Sequence, residues 1–280
     1  MTKTFVGGQA VIEGVMMRHQ HNIATAVRKE DGKIVTKKQT LKSITEKSKV
    51  LRLPIIRGII FLFEMLILGY KTLTWSAQQQ GEEEELTNWQ LALTLSISLI
   101  AVIGLFVVLP YYLSRIFIKQ HTITFNLLDG VFRLGIFLTY IVGIGLWKDI
   151  KRVYQYHGAE HKAVNCYESG KELSVKNAMQ FTTAHVRCGT SLLVFVIGIS
   201  IILFSLIKTP VWYYNVLTRI ILIPLIGGIG YEILKVSAKH KDNVFWKIIM
   251  APGLWVQSLT AKEPDEQQME VALVALKAVL

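Results

Sequence analysis

His157, Glu160 and His161 stand in the order H-x-x-E-H, and Cys166, Glu168, His185 and Cys188 follow in the same inter-helical stretch. Both cysteines of this 280-residue chain and three of its seven histidines lie here. On a helix, two histidines four apart share a face and can grip one ion. A glutamate beside them completes the inverted zinc-hydrolase signature, in which the carboxylate takes a proton from an activated water. A catalytic zinc uses three protein ligands and keeps one position open. His157 and His161 supply two. The third is Glu168, His185, Cys188 or Cys166, and spacing does not choose among them. If the preceding apolar helix runs on through Tyr154, then His157, His161 and Glu168 fall near one face, because eleven residues make almost three turns. Two other readings stand beside this one. His161, Cys166, His185 and Cys188 can close a four-ligand structural zinc site, which the zinc-knuckle-like spacing of His185 and Cys188 favours. Or the same residues pack in a polar, partly buried loop with no metal.

The elements that position this stretch are apolar. Hydrophobic residues make up 51% of the chain, too many for an ordinary soluble domain. The net charge of +11 fits the Lys- and Arg-rich flanks of membrane spans, and no specific nucleic-acid partner is expected. Four spans are predicted: Trp89–Leu109, Val131–Trp147, Ser191–Ile207 and Val216–Leu234. Arg133 is expected to snorkel from one end of its span. Gly143, Gly145, Gly227, Gly228 and Gly230 would permit close helix approach. Residues 51–74 carry Arg52, Arg57 and Glu64, and read as an interfacial or re-entrant helix, with Pro54 in its first turn. Positive residues in 148–190 and after Leu234 put that segment and both termini in the cytoplasm. In a reducing compartment Cys166 and Cys188 are thiols.

Residues 1–50 read as a cytoplasmic β-rich region. It includes a hairpin turning at Asp31-Gly32, between Ile23–Arg28 and Lys33–Lys38. Met1–Gly8 has no apolar core of signal-peptide length, so no cleavage is expected. Within Gly7–Arg18, Gln9, Glu13 and Arg18 stand out, Glu13 and Arg18 reading by themselves as a plain surface pair. Glu82–Glu85 reads as a solvated acidic linker. Residues 244–280 read as an interfacial helix and a C-terminal cytoplasmic helix. The expected fold is a mainly α membrane protein: a four-span bundle over 89–234 with interfacial helices, and a small cytoplasmic α+β region. Few charges sit near the middles of the spans, which argues against a transporter.

Three motifs, Gly7–Arg18, Tyr156–Lys162 and His185–Ser191, together with the Glu270–Leu276 ending, resemble the YqhQ family of bacterial membrane proteins, often described as predicted metal-dependent enzymes. Val186 stands where that family's motif usually has proline. The resemblance implies that the motifs work together, and so raises Glu13 and Arg18 above a surface pair. The expected function is a multi-pass cell-membrane protein with a zinc-dependent hydrolase site at its cytoplasmic face. The alternative is a scaffold, binding a membrane-protein partner, with a structural zinc.

Overall fold

The computed structural model describes residues 6–81, 87–119, 122–207, 211–240 and 242–280. The acidic run Glu82–Glu85 and the residues His121, Lys208 and Lys241 lie outside the described residues. The chain is mainly helical, with a small N-terminal antiparallel sheet. Strands β1 (Val6–Val11), β2 (Gly14–His19), β3 (Asn22–Arg28) and β4 (Ile34–Thr40) form a meander in sequence order. The expected hairpin is β3–β4, where Gly32 takes a positive φ of 83°. It is half of the sheet. The β1–β2 turn has no glycine at its two central positions, and Glu13 takes a φ of 50° there, a conformation that favours glycine.

β2 and β3 are buried along most of their length because the sheet is covered on both faces. Val15, Met17, Ala24 and Ala26 face helices α5 (Lys148–Ser169) and α10 (Glu266–Val279), in a core that includes Tyr156, Ala163 and Leu276. Met16, Ile23 and Val27 face Leu68 of helix α1 (Ile56–Gln78). Burial on both sides explains why Gly14–Met17 and Ile23–Val27 read as runs of small and apolar residues, not as alternations.

Helix α1 joins the sheet to the apolar helices. Its C-terminal half lies under β1, where Gln9 Nε2 donates to Thr72 Oγ1 at 3.2 Å and the Ile12 amide donates to Ser76 Oγ at 3.1 Å. Its N-terminal half packs on helix α8 (Trp212–Lys239), where a Cβ added at Gly58 would lie 2.9 Å from the Gly228 carbonyl oxygen. Arg57 and Glu64, seven apart on this helix, turn to different partners. Arg57 binds Glu232 of α8 through both guanidinium arms, while Glu64 accepts from the Ile44 amide at 2.6 Å. Pro54 lies just before the helix, which begins after Ile55.

Three helical stretches are long and apolar enough to cross a membrane: Ala92–Phe117, Ile123–Ile144 and Trp212–Lys239. The first joins α2 (Asn88–Ile103) to α3 (Leu109–Phe117) through a π-helical turn. It therefore runs past the expected end at Leu109. The second, α4, begins well before Val131. Helix α7 (Gly189–Ser205) is apolar but shorter, at 17 residues.

Charges sit inside this bundle after all. Arg133 does not snorkel. It is 5% exposed and donates to Asp129 at 2.6 Å and to the Phe106 carbonyl at 2.9 Å. That carbonyl is the one that Pro110, lacking an N–H, cannot engage four residues on, so Arg133 satisfies a group freed by the proline. Asp129 also lies 2.9 Å from Arg219, which bonds Asn126 at 2.8 Å and Asn215 at 2.9 Å.

Helix α4 ends at Ile144 and α5 starts afresh at Lys148, so no continuous helix carries the second span into the histidine stretch. The short helix α6 (Val175–Ala178) follows, and α9 (Val244–Thr260) leads to α10, whose start is fixed by a capping box between Asp265 and Gln268.

Candidate metal centre

α5 carries His157 and His161 on one face, their rings 4.3 Å apart. Each ring is turned by a backbone carbonyl, which can only accept. His157 Nδ1 therefore donates to Thr260 at 3.0 Å, and His161 Nδ1 donates to Thr183 at 2.6 Å. Both Nε2 atoms are left for a ligand, the arrangement that outer hydrogen bonds impose on metal-binding histidines. Cys188, the residue that caps the start of α7, brings its Sγ to 3.2 Å from His157 Nε2. One ligand atom from each of His157, His161 and Cys188 lies within 4.8 Å of the others. Tetrahedral zinc holds such atoms roughly 3.3–3.8 Å apart, from its bond lengths, so a small closure fits the ion.

The electrostatics favour ligation at the sulfur, while His157 would give up its Nε2 proton to an ion. Burial pushes the Cys188 thiol up, but His157 beside it and His161 more than reverse this, holding the thiol well below its ordinary value. Burial likewise pushes His157 down, and the Cys188 sulfur outweighs it, raising the imidazole to about 9. The sulfur is thus held as thiolate, the form that binds metal. Glu160 is buried at 6% exposure. Burial raises its carboxyl, and His161 and His157 only partly offset this, which moves it toward the range useful to a base near neutral pH.

Two glycines make the geometry possible. A Cβ on Gly158 would fall 1.8 Å from the Lys262 carbonyl oxygen. Glycine there lets the α9–α10 link lie on α5, where the Lys262 amide donates to Tyr154 at 2.9 Å. A Cβ on Gly8 would meet the Met16 carbonyl oxygen at 2.4 Å and the Glu160 carboxyl carbon at 3.2 Å. The Gly8 amide, on the edge of β1, lies near enough to favour the charged Glu160 carboxylate.

The other candidate residues fall elsewhere. Cys166 is turned into the core beneath the sheet, its Sγ 3.6 Å from the Glu172 carbonyl. Glu168 shares the histidine face, but seven residues of helix rise place it roughly 10 Å along from His161. It pairs with Arg187 and lies 3.9 Å from His185 Nε2. His185 stacks near His161, with ring centroids 5.5 Å apart, and its Nε2 makes no hydrogen bond among the described residues. Glu13 and Arg18 are not partners. Glu13 holds Arg152 at 2.5 Å and Tyr156 at 3.2 Å, which explains its positive φ and ties the β1–β2 turn to α5. Arg18 lies against Met65 and Phe61. Gln9 is spent on α1. The sequence gives no sign of the Thr183 and Thr260 carbonyls, because any residue carries one. Gly8 and Gly158 had a signal, since both sit inside the motifs.

The cluster opens on a cavity of about 750 Å³. His157, Glu160, His161, His185 and Cys188 line one side, Gly7–Ala10 and Arg18 a second, and Phe61, Leu62, Met65, Leu192, Leu234 and Lys235 the side toward the apolar helices.

A known protein resembles nearly the whole chain. The chain is 35% identical, over 98% of its length and 92% of the relative's, to a protein of Bacillus subtilis (strain 168) described as uncharacterized protein YqhQ. No solved structure matches it. Residues 53–280 match the family described as protein of unknown function DUF1385, and the chain belongs to that family.

Proposed function

We propose that this protein is a multi-pass membrane protein whose His157, His161 and Cys188 hold a zinc ion that serves hydrolysis at the cytoplasmic face. The observation that carries this reading is the convergence of two carbonyl-oriented imidazoles and one thiolate on the wall of a cavity, with Glu160 next to them. Three protein ligands facing open space is the catalytic pattern, and Cys166, which a closed site would need, points away. In this reading α7 crosses as a fourth span, and the sheet, α5 and α10 lie in the cytoplasm with both termini, as the Lys- and Arg-rich segments favour. When bound, zinc supplies a Lewis acid that acidifies a water. Glu160 would act as the general base that accepts a proton from the attacking water and passes it to the leaving oxygen or nitrogen. The Thr183 and Thr260 carbonyls keep the imidazoles aligned, and the absence of a side chain at Gly8 leaves room for the Glu160 carboxyl.

One observation favours the structural-zinc reading. His185 Nε2 is buried without a hydrogen bond and its ring neighbours His161, so a rotated His185 could supply a fourth ligand. Elemental analysis of the purified full chain and of the His157→Ala/His161→Ala variant tests the metal. About one zinc per wild-type chain and almost none in the variant is expected, and equal, near-zero metal in both ends the reading. Glu160→Gln then separates the two roles: zinc retained with function lost supports a base, zinc and function both retained supports a structural ion.

A further inference from the structure

The cavity beside the cluster has two unlike halves. Arg18 and Lys235 both line it, and neither has a carboxylate partner among the described residues. Arg18 spends one N–H on the Gln20 carbonyl at 3.1 Å and lies 3.6 Å from the Met65 sulfur. The Lys235 ammonium lies 5.9 Å from the centre of the Tyr231 ring. Gly189 and Thr190, at the N-terminus of the 17-residue helix α7, line the same space, adding a helix end that favours anions. The remaining wall, Phe61, Leu62, Met65, Leu192 and Leu234, is apolar and comes from α1, α7 and α8. α8 is a candidate span, and its outward side chains include Ile221, Ile223 and Leu225. On α1 the lining residues Phe61, Leu62 and Met65 also stand beside the exposed Phe63, Leu66 and Ile67, so apolar surface lies next to the cavity.

We infer that the cavity receives a membrane phospholipid, its phosphate between Arg18 and Lys235 and its chains along Phe61, Met65, Leu192 and Leu234. A soluble anion needs the cations but not the apolar wall. A peptide needs backbone partners, yet on the cavity-facing edge of β1 the Val6 carbonyl already accepts from Arg187. A phospholipid uses both halves. The volume suits a headgroup and the first segments of its chains, within the range of about 300–1,000 Å³ for ligand pockets. As a substrate assignment this rests on the hydrolase reading, since it names what that site acts on. As a binding assignment it stands without metal.

The test is native mass spectrometry of the purified full chain titrated with phosphatidylglycerol, phosphatidylcholine or soluble glycerol 1-phosphate. Wild type is expected to hold phosphatidylglycerol about tenfold more tightly than phosphatidylcholine, and glycerol 1-phosphate more weakly than either. Arg18→Gln/Lys235→Gln is expected to lose that preference, about tenfold in affinity, with an unchanged unfolding midpoint. Leu234→Asn is expected to weaken both lipids. His157→Ala/His161→Ala is expected to keep lipid binding whether or not zinc is lost, so a failed metal reading does not mimic a failed lipid reading. Equal binding of both lipids, a preference that survives the double variant, or equal binding of glycerol 1-phosphate overturns the inference. So does displacement of bound phosphatidylglycerol by an extended peptide but not by phosphatidylcholine.

Discussion

The Asp129, Arg133 and Arg219 cluster in the apolar bundle and the His157, His161 and Cys188 cluster beside the sheet both bury ionisable groups, but their partners differ in kind. In the bundle each charge meets fixed protein groups. Asp129 faces two guanidiniums, and these reach Asn126, Asn215, Ser200 and the Phe106 carbonyl, with Tyr111 and Phe204 rings over Arg219. Beside the sheet, protein groups turn the imidazoles by one nitrogen and leave the other pointing at a cavity. Buried charge alone therefore does not mark a functional site. What marks it is donor capacity that the surrounding protein orients without using.

That contrast can be broken in order of expected effect. Asp129→Ala leaves two guanidiniums buried without their counter-charge, and should lower stability in detergent by about 3–5 kcal/mol, read from thermal unfolding. A midpoint like that of wild type would show that the bundle cluster is not a clamp. Acid probes the middle ground. Burial pushes the Glu168 carboxyl up, but His185 and Arg187 outweigh it and hold it at about 2, below its ordinary 4.5. Its contribution is present above pH 4.5 and is lost as pH falls through 2, up to about 3 kcal/mol. Glu168→Gln should lack that pH-dependent loss, and an identical acid profile in both proteins would refute the pairing. Gly158→Ala should cost about 1–3 kcal/mol by forcing Lys262 off α5, and should lower zinc content with it. Unaltered zinc content would mean that the α9–α10 link does not hold His157. Glu160→Gln should change stability least, by under about 1 kcal/mol, while abolishing hydrolysis. A large loss of stability would place Glu160 among the structural residues.

Much of the helical arrangement could be read from sequence, because period and length carry it. His157 and His161 do share a helix face, the Asp31-Gly32 turn does join two strands, and α10 follows its apolar spacing. The β1–β2 hairpin was hidden because its turn uses Glu13 at positive φ, a choice explained only by Arg152 and Tyr156, about 140 residues away. Asp129 was hidden for a similar reason. A lone carboxylate in an apolar run has meaning only once Arg133 is one turn on and Arg219 is across from it. Glu168 shares the histidine face yet sits about 10 Å along from His161, because helical phase says which way a side chain points and nothing about how far along the axis it sits. Which of the four candidates lies beside the two imidazoles turned on Cys188 capping a different helix, a contact across 31 residues.

The position of α10 bears on how the protein is made. It closes one face of β2 and β3, and its Val279 carbonyl meets His19 across 260 residues of chain. The early strands must therefore wait, with one face incompletely covered, until every apolar helix has been synthesised. A ribosome stalled before α10 would leave Val15, Met17, Ala24 and Ala26 covered by α5 alone, a ready mark for chaperones and proteases. Synthesis of α10 and closure of the sheet would then be one event, so that copies lacking α10 are recognised by their exposed strands.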